Sequence, residues 1–367
     1  VMPEPLLSCT GASYAVLGDG EVAFPALLKA IKNGHRPQEV PRLAWLEKGR
    51  CRVSTHNPCE LSSWAITPPF ETWVDLKAYR AANSTIPIQS KRGCPFSCIY
   101  CTYGISEGSA YRLFPPEEVT QALLHLAAQG YRDIEFVDNV FNAPYDHALA
   151  ICERLAGTQP KLRLITVELN PAFVDERLLQ VMEKAGFVRV GITAESAADA
   201  VLAGLQKGYT QAEVEKTAAA VRRSKLSCFW LFMLGGPGET EQTVARTLSF
   251  ARRVVRKGDA AYFNVGIRIY PGTKLEKIAR QQGVLSQTSE EMLEPVFYFS
   301  PELSLSRTLD QLRRAAAENL NLLHSGSFSH PWLPAVNRLS RFLPLRPPLW
   351  RHSRAIRRVI RALGRDI

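Results

Sequence analysis

No apolar run in this chain is long enough to cross a bilayer, and the sequence shows no internal repeat and no low-complexity tract. The most apolar stretch, Leu226 to Gly236, is too short to span a membrane and reads as a buried strand. The N-terminus lacks a secretion signal: Glu4 stands where a basic group belongs, and no apolar core follows. The expectation is a cytoplasmic chain in a reducing compartment. There, eight cysteines do not read as a disulfide framework, and clustered ones read as metal ligands or catalytic groups. Net positive charge is low too, outside one place. Of the net +10, the segment Val336 to Ile367 carries +8, with nine arginines against Asp366, which leaves +2 for everything else. A near-neutral body argues against a nucleic-acid groove, and no nucleic-acid partner is expected.

What is present is ordinary globular material: 46% hydrophobic and 22% charged residues in 367 positions. That length fits two to three domains, or one large barrel with additions. Between Thr85 and Gln282 strand and helix patterns alternate. Strands are expected at Ile86–Ser90, Asp133–Asp138, Leu162–Glu168, Val188–Thr193, Ser227–Leu234 and Ala261–Ile269. Helices are expected at Pro116–Gln129, Asp146–Ala156, Asp175–Ala185, Gln211–Ser224, Glu241–Lys257 and Thr273–Gln282. Six such units predict an α/β fold, a partial (β/α)6 TIM-like barrel, with an open doubly wound sheet as runner-up. In a barrel the chemistry sits at the C-terminal strand ends. The cysteine loop, Asp138-Asn139, Glu168, Glu195-Ser196 and Gly235–Glu239 all fall there.

The loop Arg92-Gly-Cys-Pro-Phe-Ser-Cys-Ile-Tyr-Cys101 holds three of the eight cysteines. Closely spaced thiolates suit zinc or an iron–sulfur cluster. Structural zinc takes four closed ligands, and Cys51 and Cys59 lie well upstream. Three thiolates on a four-iron cluster leave one iron open for a substrate or cosubstrate. A zinc-binding interaction module and a non-catalytic cluster carrier or sensor remain the alternatives. Cys152 and Cys228, in a helix and a strand, read as packing residues. No cysteine follows Cys228, so an auxiliary cluster further on lacks its ligands.

The segment CPFSCIYC resembles the C-x3-C-x-aromatic-C signature of radical S-adenosylmethionine enzymes, and the likeness extends over about residues 84–285. It implies that Cys94, Cys98 and Cys101 hold a [4Fe-4S] cluster, with Tyr100 in the aromatic position. It implies further that S-adenosylmethionine chelates the fourth iron and is split to a 5′-deoxyadenosyl radical, the electron coming from a donor such as flavodoxin or ferredoxin. Thr193–Ser196 resembles the family's G-x-E-S segment, which brings Glu195 and Ser196 to the cosubstrate. Gly235, Gly236, Pro237, Gly238 and Glu239 resemble its G-x-P-G-E-T segment; the plain alternative is a tight turn capped by Thr240. Phe136–Phe141 stands where many relatives carry G-G-E, so that role moves to Asp138.

Residues 12–28 resemble the last strand, turn and helix of a cobalamin-binding domain that often precedes this barrel. The D-x-H-x-x-G segment that would supply the cobalt ligand is missing, and His35 has no matching context. The chain is therefore a fragment, or a short form that has lost cobalamin or binds it without that histidine. The organisation expected is a short α/β N-terminal remnant and linker over 1–80, a core barrel over 84–285, a helical extension over 286–330 and a basic amphipathic tail over 331–367. In the tail, Ile356, Val359, Ile360 and Leu363 share one face opposite Arg354, Arg358, Arg361 and Arg365. Such a segment lies on an anionic membrane or packs on the barrel with its arginines solvated. The substrate implied is a small or lipid-like molecule.

Overall fold

The structure, a computed structural model, describes residues 2–54, 70–82, 84–158, 161–288, 291–324 and 352–362. It divides into two compact units: residues 1–65, 92–112 and 268–298 form one, and 66–91, 113–267 and 299–367 the other. The units are discontinuous in sequence, whereas the sequence reading cut the chain into consecutive pieces.

The larger unit is built on one seven-stranded sheet. Its strands are β1 (Ile86–Ile88), β2 (Asp133–Phe136), β3 (Arg163–Leu169), β4 (Phe187–Glu195), β5 (Ser227–Leu234), β6 (Ala260–Val265) and β7 (Leu322–His324). They lie side by side in chain order, each parallel to the next. A doubly wound sheet reverses its strand order part-way, so this consecutive order is that of a partial TIM barrel. Helices Pro116–Ala128, Tyr145–Thr158, Glu176–Lys184, Gln211–Arg223 and Glu241–Val254 supply the crossovers. Their starts are chemically marked. Asp175 accepts from the Leu178 amide, and Thr240 forms a reciprocal box with Thr243, as its capping reading requires.

Burial explains the apolar strands. On β5, Cys228, Trp230, Phe232 and Leu234 are buried, and the ring of Phe250 stands edge-on to Trp230 and Phe232 from the helix outside. Cys152 is buried as well, so both lone cysteines pack as expected. Two departures from the sequence reading stand out. The sixth strand ends at Val265, since Gly266 takes a positive φ of 81°. A seventh strand follows the helix Leu305–Glu318 and pairs Ala261–Phe263 with Leu322–His324. Three residues are too few to show a period, and the sequence reading had only a helical extension there.

The tail is described only at its helix Ser353–Ala362; the rest of 331–367 lies outside the described residues. Among the described side chains, an arginine holds this helix to the fold. Arg357 is buried and donates to the carbonyls of Ala316, Leu320 and Leu322, while Val359 is 61% exposed. Carbonyls at the end of a helix and an edge strand attract a guanidinium, which satisfies several of them at once. Among the described residues no helix is long and apolar enough to cross a membrane.

The smaller unit carries the N-terminal piece. Ala15–Val16, Leu43–Glu47 and Arg50–Val53 form an antiparallel sheet, and helix Ala23–Lys32 packs Ala23, Leu27 and Ala30 with Val40 and Leu43. The strand, turn and helix read from the sequence are present. The strand's neighbour is antiparallel, unlike the parallel sheet of an α/β domain.

Candidate active site

Within the smaller unit the cysteine loop is held by its backbone. Gly93 has a φ of 81°, and a Cβ there would lie 2.0 Å from the Ala110 carbonyl oxygen. Only glycine fits. Its amide donates to Glu107 Oε2 at 3.1 Å, and the Cys94 amide donates to the Gly108 carbonyl at 3.0 Å. The Ile99 carbonyl accepts from Leu275 at 2.9 Å, and the Cys98 carbonyl from the Cys101 amide at 3.2 Å. The two ends of the loop meet on one carboxylate: Asp19 accepts from Arg92 at 3.1 Å and from Arg112 at 2.5 Å. Asp19 itself is nearly buried, so these charge-assisted bonds are shielded from water. Gly18, with a φ of 76°, brings that turn in, because a Cβ would lie 3.1 Å from the Ser106 carbonyl oxygen.

None of the three loop cysteines is in a disulfide; Cys94 is buried and Cys98 and Cys101 are half-exposed, with the half-buried Tyr100 between them in sequence. Among the described residues no three His, Cys, Asp or Glu side chains are grouped so as to hold one metal ion. A cluster spreads its cysteines over separate irons and does not ask for that convergence. The Tyr111 hydroxyl in the same loop is buried and has no hydrogen-bond partner. The donor set and this orphan donor fit an iron–sulfur group better than a closed zinc site.

In the larger unit the strand ends carry the other candidates. The ladders slip by one residue at two of these ends. Thr166 pairs with Val190 but Leu169 with Ile192, and Leu231 pairs with Thr193 but Phe232 with Glu195. One extra residue in β3 and one in β4 change which face the following side chains take. Gly191 makes the first slip possible, since a Cβ there would lie 2.4 Å from the Val167 carbonyl oxygen. The second leaves Glu195 at a φ of 58°, costly for a residue with a Cβ.

Glu195 is buried and paired with Lys207 Nζ at 3.0 Å. Lys207 also stands over the Tyr209 ring, whose hydroxyl donates to the Thr193 carbonyl. Glu168 lies electrostatically close: burial first, and the Glu195 charge second, push its pKa up to about 8, against Lys207. It therefore keeps its proton at neutral pH. The sequence reading noted Glu168 at a strand end without assigning it a role, and it missed Lys207, which follows Glu195 after an intervening helix with no spacing signal.

Two assigned residues are occupied within the fold. Asp138 accepts from the Ser90 amide at 2.7 Å, the Ser90 hydroxyl at 2.7 Å and the Lys91 amide at 3.1 Å, with Lys91 Nζ at 3.8 Å. It is 1% exposed and holds the chain just after β1, so it anchors that strand end. Ser196 is fully buried, shares a hydrogen bond with Thr247 and accepts from the Ala198 amide, which shapes the turn into helix Asp199–Gly204.

The Gly235–Glu239 loop is a tight turn closed on itself. Gly235 has a φ of 95° and would drive a Cβ into the Phe299 ring; Gly238 has a φ of 75°. Gly204 leaves room for the Pro237 carbonyl, which a Cβ would approach to 2.7 Å. Glu239 Oε2 accepts from the Gly235 and Gly236 amides, at 2.5 and 3.1 Å. Those two donors point inward, not to an outside ligand. Glu239 Oε1 has no partner, and burial pushes the carboxyl up to about 7 against its two amide donors.

With this geometry described, comparison with known proteins is informative. Residues 88–251 match the Radical SAM superfamily model. An uncharacterized methyltransferase of Pyrococcus horikoshii is 26% identical over 76% of this chain and 60% of its own length. A tRNA-2-methylthio-N(6)-dimethylallyladenosine synthase of Herpetosiphon aurantiacus is 27% identical over 52% of this chain and 45% of its own. The chain thus spans roughly half the length of these relatives. Among solved structures, the radical S-adenosylmethionine methyltransferase TsrM of Kitasatospora setae superposes with a TM-score of 0.82 at 20% identity, covering 99% of this chain and 79% of that one. That likeness shows the fold.

The Glu239 geometry has a pH signature. A carboxyl raised from its ordinary 4.5 to about 7 keeps its proton longer in the folded state than in the unfolded one. Its favourable contribution is present below pH 4.5 and lost as pH rises to about 7, an effect of about 3 kcal/mol. Glu239→Gln should flatten this part of the stability profile in denaturant unfolding at pH 5 and pH 8. An unchanged slope would contradict the assignment.

Proposed function

We propose that this chain, a member of the radical S-adenosylmethionine superfamily, holds a [4Fe-4S] cluster through Cys94, Cys98 and Cys101 and cleaves S-adenosylmethionine reductively to modify a small molecule. The observation that carries this reading is the set of three cysteines, none in a disulfide, in a loop whose shape is fixed by Gly93 and by the Asp19 clamp on Arg92 and Arg112. The cluster, when bound, supplies the electron that splits the sulfonium. The chain's own residues bind, orient and shield. Glu195, held by Lys207, offers a carboxylate to the cosubstrate, and the residue's strained backbone is the kind of cost found at functional sites. Ser196 and the Gly235–Glu239 turn fix the strand ends on which the cosubstrate rests, and Tyr100 flanks the cluster ligands. A flavodoxin or ferredoxin is the electron donor of this reading.

Methyl transfer is the reaction the relatives support best. One is named a methyltransferase, and TsrM is a methyltransferase solved with tryptophan and a cosubstrate analogue, and also with cobalamin and a [4Fe-4S] cluster. A small molecule or a lipid-like one is the substrate class. Cobalamin enters this reading without the cobalt-ligating histidine segment, which residues 1–80 lack. Over residues 12–28 the strand, turn and helix remain the part that resembles a cobalamin domain.

A peripheral membrane contact is part of the same proposal. Arg357 ties the tail helix to the fold, while Val359 stays exposed beside further arginines. The chain without residues 331–367 should bind vesicles of anionic phospholipid less than the whole chain does in a flotation assay. No binding by the whole chain would leave the tail as a packing element only.

The catalytic proposal is tested by reconstituting the protein anaerobically with iron and sulfide and adding S-adenosylmethionine and dithionite. 5′-Deoxyadenosine or S-adenosylhomocysteine should form, and Cys98→Ala should lower product by at least about 100-fold, the scale expected when a metal ligand is lost. Undiminished turnover by Cys98→Ala would overturn it.

A further inference from the structure

The Tyr111 hydroxyl is the one polar group of the cysteine loop whose situation the proposed chemistry has not used. Tyr111 is half-buried, but its hydroxyl oxygen is shut off from solvent and has no hydrogen-bond partner. A buried hydroxyl without an acceptor has lost its water and gained nothing in return, so such an atom calls for a ligand. Its place in the loop is defined. The segment Gly108–Arg112 folds back on Gly93-Cys94: the Cys94 amide donates to the Gly108 carbonyl at 3.0 Å, and the Ala110 carbonyl occupies the space a Gly93 side chain would need. Arg112, the next residue, is fixed by Asp19 and by the Glu107 carbonyl. Tyr111 is therefore carried on a rigid backbone beside the first cluster cysteine.

We propose that the Tyr111 hydroxyl, which finds no acceptor in the protein itself, donates a hydrogen bond to a sulfide of the cluster held beside Cys94, and so raises the cluster's reduction potential. This rests on the reading that the loop holds a cluster. The physical basis is simple. Reduction adds negative charge to the sulfurs, a donor aimed at them stabilises the reduced form more than the oxidised one, and hydrogen bonds to sulfur are among the terms that set cluster potentials. No bond is made or broken and the phenol keeps its proton. Tyr111 is a positioning and tuning residue, not a catalytic one.

The test is an EPR-monitored redox titration of the reconstituted whole chain and of Tyr111→Phe, after iron and sulfide per chain are shown to be equal. The midpoint potential should move to a more negative value in Tyr111→Phe. A potential equal to that of the unaltered protein overturns the inference and leaves the cluster reading intact. If Tyr111→Phe fails to hold a cluster, 3-fluorotyrosine placed at position 111 decides. It keeps the ring's shape and is a stronger donor, so the potential should rise, and an unmoved potential overturns the inference. An unaltered protein that assembles no cluster overturns this inference and the proposed function together.

Discussion

Three thiols can share one cluster only if the peptide that joins them is held in one shape. Side-chain packing contributes little inside so short a loop, so backbone contacts set it. Gly93 has no side chain because the Ala110 carbonyl occupies that space. Asp19 brings Arg92 and Arg112 together at the two ends of the loop, and Leu275 holds its middle through the Ile99 carbonyl. The charges of this clamp are largely out of water, which keeps the pairing effective where an exposed pair would contribute almost nothing. The N-terminal piece, Gly18-Asp19 above all, is thereby part of the cysteine loop's architecture.

The barrel end follows a related rule. Regular parallel strands would present their last side chains in strict alternation. An extra residue in β3 and another in β4 break that alternation where Glu168 and Glu195 lie. The outcome is two carboxyls with different surroundings. Glu195 is tied to Lys207, while burial and the neighbouring Glu195 charge push the Glu168 carboxyl up to about 8.

Much of this was legible in the sequence. The six strand–helix units are long, regularly alternating and punctuated by glycine, and each appears where the periodicity put it. The spacing of the three cysteines pointed to a metal group, zinc or an iron–sulfur cluster, and the likeness of CPFSCIYC to a family signature pointed to the cluster. What was not legible depends on contacts far apart in the chain. Asp138 does end a strand, but its engagement is decided by Ser90 and Lys91, 48 and 47 positions earlier. The left-handed backbone at Glu195 has no glycine to signal it. Lys207 becomes part of the site only because a helical turn returns it to β4. In the tail, the amphipathic pattern assigned Arg357 to neither face, and it is buried because carbonyls at the end of the Leu305–Glu318 helix and around β7 are available to it. Patterning records apolar periodicity; it does not record unpaired carbonyls.

The central claim is an iron–sulfur cluster with one iron left open for S-adenosylmethionine. The most direct measurement is the EPR spectrum of the reduced, reconstituted chain with and without S-adenosylmethionine, alongside iron and sulfide analysis. The account predicts brown protein with about four irons and four sulfides per chain, as a [4Fe-4S] site requires, and a spectrum that changes when the cosubstrate is added. A colourless protein carrying zinc, or a cluster spectrum indifferent to S-adenosylmethionine, would contradict it.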